Sequence, residues 1–370
     1  MPVGIAWGSP EMVARNIRPP VPWRGIQGDE PMKSNFAACA VAGKPFGSAG
    51  MGRRRAGITL VELLVALGVT LILSGLGLSA VQRATEAARR AQCANHLRNI
   101  GLAALNHEAA HRHYPSNGWG FRWVGEPELG YGPNQPGGWI YNVLSYLEHD
   151  DVRRMGQGET LGQRRRTFAR RFEHSFELFY CPSRRSGPLF PYTEATFLLV
   201  NSDVPVSAAK SDYAINAGSR EIDGGTGPRS YLDPLYKWPR LDQMNGVSFV
   251  RSRVRVVDVR DGTSRTILAG EKHVPIDAYT TGATTGDDQG IYIGDDADNR
   301  RFTIVTPQPD IFLSSPPEGR IVHAFGSAHP SSVQFVMCDG SVQRVDFEID
   351  LLAFRRMGNR RDGPRGLRRP

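Results

Sequence analysis

Residues 58–81 form a run of 24 residues with a single charge, Glu62. As an α-helix, a run of that length spans roughly 36 Å, against about 30 Å for the hydrocarbon core of a bilayer. Arg53, Arg54 and Arg55 stand just before it, an arrangement that keeps the N-terminal end cytoplasmic and sends the rest outward. A secretory signal peptide has the same basic-then-apolar order. This run is long for one, however, and its fifth residue is a carboxylate, which costs several kcal/mol in lipid. Such a group needs a partner.

The formal net charge is +8 over 370 residues, but residues 1–57 alone carry +5, leaving +3 for the remaining 313. That is no electrostatic footprint for nucleic acid. The Arg164–Arg166 run and the basic residues from Arg355 to Arg369 read as solvated surface. Gly (41) and Pro (26) are abundant, which predicts many turns and short strands. Residues 1–50 are Pro/Gly-rich and without periodicity. A start at Met51 would leave the compact leader MGRRRAG, so residues 1–50 are expected to be disordered or untranslated.

After Val81 the helix is expected to continue to about His113, where Tyr114-Pro115-Ser116-Asn117-Gly118 breaks it. Ala84, Ala87, Ala88, Ala91, Ala94, Leu97, Gly101 and Leu105 recur every three or four residues and predict a stripe on which the head, or a neighbouring helix, packs closely. Residues 139–155 read as a short helix. Residues 254–259, 265–271, 320–325, 332–338 and 341–347 read as strands, with a two-residue Asp339-Gly340 hairpin whose central residues both need positive φ.

The series Gly57, Ile58 and Glu62 after Arg53–Arg55 resembles the type IV prepilin signature. The resemblance implies cleavage between Gly57 and Ile58 by a membrane-embedded prepilin peptidase, which also N-methylates Ile58. Ile stands where Phe is usual. A second resemblance rests on QCANHLRNIGLA (92–103), HYPSNGW (113–119), WIYNVLSYLE (139–148), FYCPS (179–183), SDYAINAG (211–218), VRDGTSRTILAGE (259–271) and HPSSVQFVMCDGSV (329–342). This order is similar to the planctomycete-type family of pilin-like proteins of unknown function. Its hallmark is a C-terminal His, nine residues, then Asp-Gly: here His329 and Asp339-Gly340. Cys338 departs from that pattern.

Candidate chemistry is sparse. His107-Glu108-Ala109-Ala110-His111 is a literal HExxH, which on a helix can hold zinc. No third ligand is evident and the extended metzincin form is absent, so a solvated helix end is the preferred reading. Asp287, Asp288, Asp295, Asp296 and Asp298 offer the oxygen ligands that Ca²⁺ takes, although a solvated acidic loop is the plainer account. His329 and Asp339 could pair, but strand and turn geometry explain both. Of the four cysteines, Cys39 lies in the segment expected to be removed. Cys93 and Cys181 stand in segments that carry the resemblance; a disulfide between them would stabilise by about 3–5 kcal/mol. The alternative, at even weight, is three buried small apolar residues.

The expected fold is α+β and pilin-like: a long N-terminal helix, its first half transmembrane, on a mostly antiparallel β head. The expected divisions are a leader (1–57), the transmembrane helix (58–81), its amphipathic continuation (82–113), an exported head (114–354) and a basic tail (355–370). The expected role is a non-enzymatic structural or assembly subunit in the cytoplasmic membrane with its head outside. Its partners would be the prepilin peptidase/N-methyltransferase, like subunits or pilus or type II secretion-like machinery, and no nucleic acid. The alternative is an anchored, non-polymerising surface module that binds a ligand such as glycan or calcium.

Overall fold

The computed structural model describes residues 59–194, 196–311 and 321–363. The leader, Gly57 and Ile58 lie outside the described residues.

Helix α1 is Leu60–His111. It opens on a reciprocal cap: the Thr59 hydroxyl accepts from the Glu62 amide (3.2 Å), and the Glu62 carboxylate accepts from the Thr59 amide (2.9 Å) and hydroxyl (3.0 Å). Thr-x-x-Glu is the capping-box pattern, which satisfies two otherwise orphaned N–H groups. The helix ends where Arg112 turns left-handed, at φ 63°. It is long and apolar enough to cross a membrane. Its buried residues are Cys93, Leu97, Ile100, Gly101, Ala103, Ala104 and His107. Of the expected stripe, Leu97 and Gly101 are buried against the head, whereas Ala84, Ala87, Ala88 and Ala91 are exposed; contact with the head starts around Glu86 and tightens at Cys93.

The next helices are short: α2 (Trp139–Val143), α3 (Asp150–Arg153) and α4 (Leu161–Arg171). The single helix expected over 139–155 is broken because Glu148 adopts φ 65°. In α4 the Arg run is not simply solvated, since Arg164 pairs with the buried Glu126 (3.0 Å) and Arg165 with Asp203 (3.0 Å).

Strands β1 (Phe190–Pro191) and β2 (Ser207–Ala208) pair with each other. The central sheet contains β3 (Tyr213–Gly218), β4 (Ile267–Glu271) and β5 (Arg300–Phe302). Strands β6 (Gln308–Pro309) and β7 (Gly326–Ser327) form a separate pair. Then β8 (Ser332–Met337) and β9 (Val342–Asp346) complete the central sheet, in the order β5-β3-β4-β8-β9. Within this sheet only β3–β5 is parallel; the separate β6–β7 pair is parallel too. Strand β8 alternates by period two. Val333, Phe335 and Met337 face a cluster with Phe354 of α5 (Leu351–Gly358), while Val336 faces the cluster that includes Leu97 and Ile100 of α1. The sheet thus lies between α1 and α5. Arg355 and Arg356, expected in a tail, are helical.

The expected strand over 254–259 is a single helical turn instead, Val256–Asp258, and the one over 320–325 opens on the turn Ile321–His323 before Ala324 and Phe325 bridge to Phe302 and Lys272 and run into β7. In the first, the Asp258 carboxylate accepts from the Arg255 amide (3.0 Å) and closes the turn, leaving Val257 exposed. The hairpin also differs in type. The Gly340 amide donates to Met337 O (2.9 Å), Met337 N to Ser341 O (2.8 Å), and only Gly340 has positive φ, at 84°. This is a type I turn followed by a left-handed Gly bulge. The Asp339 carboxylate accepts from the Ser341 amide and hydroxyl (2.9 and 2.7 Å).

Candidate functional site

His329 and Asp339 lie at opposite ends of β8, and Asp339 is exposed; the fold does not bring them together. His329 instead meets three distant segments under the sheet. Its Nε2 is 3.3 Å from Cys93 Sγ, 3.7 Å from Cys181 Sγ and 3.4 Å from Glu271 Oε1. The two sulfurs are 3.4 Å apart, and both cysteines are free thiols. All four residues are at most 1% exposed.

Each is placed by its element. Cys93 begins the buried stripe of α1. Cys181 opens the Cys-Pro-Ser loop, its amide donating to Asp212 Oδ2 (2.7 Å). Glu271 ends β4, and its Oε2 accepts from the Gln334 amide (2.9 Å). His329 leads into β8, and Glu86 of α1 accepts from its Nδ1 (2.7 Å).

The electrostatics follow from this crowding. Burial, then the Cys181 thiolate, pushes the Glu271 carboxyl up to about 7. Cys93, by hydrogen bonding, lowers the Cys181 thiol to about 5, with His329 acting the same way against burial. Burial alone would lower His329, but Cys181 and Glu271 outweigh it and push it up to about 9. The Glu271 Oε1 oxygen has no hydrogen-bond partner.

The acidic loop divides. Burial alone would raise the Asp287 carboxyl, yet Arg185 (2.6 Å) and Lys272 (2.8 Å) hold it well below the usual range. Asp295 pairs with Arg300 (2.9 Å). The loop is therefore not a uniform five-carboxylate array: two members are committed to buried ion pairs. Asp288, Asp296 and Asp298 place carboxylate oxygens within 4.8 Å of one another. Burial and then Asp298 raise Asp288 to about 9, and the same causes raise Asp296. Among the described residues, this trio and the Cys93–Cys181–Glu271–His329 group are the two sets that could hold a metal ion.

The HExxH histidines are used otherwise. His107 is fully buried and its Nδ1 donates to His113 O (3.0 Å). His111 Nε2 bonds the Tyr146 hydroxyl (2.8 Å), and its ring stacks on Tyr131 at 4.1 Å.

Sequence reasoning paired Cys93 with Cys181, as a disulfide where the structure has two free thiols 3.4 Å apart; it treated His329 apart from them and missed Glu271 and Glu86. A signal was available: Cys93, Cys181, Glu271 and His329 fall one each into four separate segments of the ordered resemblance.

Residues 82–352, well over half of the chain, match the family described as a protein of unknown function (DUF1559). Residues 52–78 match the prokaryotic N-terminal methylation motif, which implies processing by a prepilin peptidase and association with a membrane. No curated protein and no solved structure is similar to the chain. With the long apolar helix and mixed-sheet head, these matches make the chain a member of the DUF1559 family that carries a type IV prepilin-like N-terminus.

Proposed function

We propose that the chain is a pilin-like structural or assembly subunit. It is cleaved between Gly57 and Ile58, methylated at Ile58, and held in the cytoplasmic membrane with its head outside. Glu62 carries this reading. It is an exposed carboxylate in the apolar stretch, and among the described residues its partner is Thr59, three positions away. Cleavage creates a positive amine at Ile58, and the amine of an incoming subunit can meet Glu62 of its neighbour. Such a pair in low dielectric sets axial register more than it adds net stability.

The capping box supplies a competing reason for Glu62, and one pair of variants separates the two. Gln also serves at the third position of a capping box, so Glu62→Gln keeps the cap and removes the charge; Glu62→Ala removes both. Both variants should be inserted and processed, with mass spectrometry finding a methylated N-terminus at Ile58. Crosslinking or recovery of sheared fibres should show both absent from assemblies. Normal assembly of Glu62→Gln would reduce Glu62 to a helix cap and favour the non-polymerising surface module.

One observation favours a calcium-binding module as the second reading: Asp298 is 5% exposed, and its Oδ2 has no partner beside Asp288 and Asp296. Calorimetric titration of Ca²⁺ into the full chain in detergent, wild type against Asp298→Asn, tests it. A signal unchanged by the substitution would dismiss that site.

A further inference from the structure

We propose that Cys93, Cys181, Glu271 and His329 form a structural zinc site that fastens α1 to the sheet. The tautomer of His329 starts the argument. Its Nδ1 faces the Glu86 carboxylate at 2.7 Å and so carries a proton. In the neutral ring, Nε2 then turns its lone pair toward two sulfurs and a carboxylate oxygen. Glu271 Oε1 has no hydrogen-bond partner, and its side chain is 1% exposed. With that tautomer, four electron-pair donors converge on one buried point. A doubly protonated His329 could satisfy one of the three facing atoms; a metal ion satisfies all of them.

The spacing suits a tetrahedral ion. With Zn–S near 2.3 Å and Zn–N and Zn–O near 2.0–2.1 Å, tetrahedral edges are about 3.8 Å for S–S, 3.6 Å for S–N and 3.4 Å for N–O. The observed separations are 3.4 Å for the sulfurs, 3.3 and 3.7 Å for sulfur to nitrogen, and 3.4 Å for nitrogen to oxygen. Ligand chemistry narrows the metal. Two thiolates, an imidazole and a carboxylate suit zinc, whereas Ca²⁺ and Mg²⁺ take oxygen donors. Four protein donors and complete burial leave no open position, which marks the site as structural. Glu86 acts from outside as a positioning residue, fixing the His329 ring as carboxylates do in carboxylate–histidine–zinc arrangements. It is itself held by Arg90 (3.1 Å) and Ser183 (3.2 Å).

The consequence is mechanical. Cys93 and His329 are 236 residues apart, and Cys93 and Cys181 are 88 apart. The unfolded chain has no such site, so zinc binding adds directly to folding free energy.

The test is metal analysis of the full-length chain purified from membranes in detergent, from zinc-replete cells. The expected result is about one zinc per chain, with Cys93 and Cys181 resistant to alkylation until a chelator is added. Replacement by Co²⁺ should give thiolate-to-cobalt charge-transfer absorption. Glu86→Gln should bind zinc about 10–100-fold more weakly, while Cys338→Ser, outside the cluster, should keep it. A Cys93–Cys181 disulfide in non-reducing peptide maps, or two free thiols without metal, would overturn the proposal with no variant needed. So would zinc retained by a folded Cys93→Ser/Cys181→Ser chain, or affinity unchanged in Glu86→Gln.

Discussion

Gly101→Ala sets two effects of similar size against each other. In a helix interior, Gly to Ala gains about 1 kcal/mol of propensity. A Cβ at residue 101 would, however, stand 2.5 Å from Val336 Cγ2 and 3.4 Å from Gly340 Cα. Val336 is fully buried, and β8 is pinned on both sides, through Ala269 of β4 and Val342 of β9. The strand cannot recoil, so the methyl overpacks a rigid site at a cost of about 1–3 kcal/mol. The net expectation is a loss of about 0–2 kcal/mol despite the better helix former. Val336→Ala alone should cost about 2–3 kcal/mol, from two lost methyl groups and the space they leave. In the double variant the methyl added at position 101 enters that space, so the two changes should couple favourably by at least about 1 kcal/mol. Urea unfolding in detergent, followed by fluorescence of the buried Trp119, Trp123 and Trp139, measures all four corners of the cycle. A Gly101→Ala chain as stable as wild type, with strictly additive effects in the double variant, would refute the direct seating of α1 on β8.

Two further outcomes follow from buried charge. Burial, with help from His111, lowers His107 to about 3, and burial lowers His273 and His323 to about 4. The unfolded chain therefore takes up protons below about pH 6.5 that the folded head refuses, so stability should fall as pH drops from about 6.5 toward 3, by up to about 1.4 kcal/mol per unit for each histidine. Urea midpoints against pH check this, and His107→Gln should flatten the slope. Asp287→Asn leaves Arg185 and Lys272 short of a buried counter-charge and should destabilise by about 3–5 kcal/mol; a thermal midpoint equal to wild type would contradict the network.

The helix and the last two strands were legible because their signals are local. A 24-residue apolar run has few alternatives, and β8 and β9 are adjacent, joined by an Asp-Gly turn. The errors came where a local pattern lacked a partner. Residues 254–259 look like a strand, but Asp258 folds back onto the Arg255 amide. The small-residue stripe from Ala84 onward keeps its helical spacing into the buried face at Leu97 and Gly101, but where along α1 the head begins to cover it depends on where Val336 and its neighbours lie, which spacing within α1 does not encode. Glu62 was legible as an anomaly and not as a cap, because Thr59, three positions before it, reads in sequence only as part of the apolar run.

The Cys93–Cys181–Glu271–His329 group escaped for a different reason: no two of its members are near in sequence. What draws them together is visible around Cys181. The four residues after it include Arg184 and Arg185, both buried, whose guanidiniums reach Asp310 (2.9 Å), Asp212 (3.2 and 2.5 Å) and Asp287 (2.6 Å). Asp212 also accepts from the Cys181 amide, and the residue after it is Tyr213, the first of β3. One short loop therefore fixes the position of a thiol by anchoring its own next residues to the sheet and to the acidic loop. Asp287, which the sequence offers as a calcium ligand, belongs to that anchorage. A charge network of this kind is expensive to bury and poor as a source of net stability. Its value lies in geometry, and the geometry it fixes includes the placing of Cys181 against Cys93 and His329.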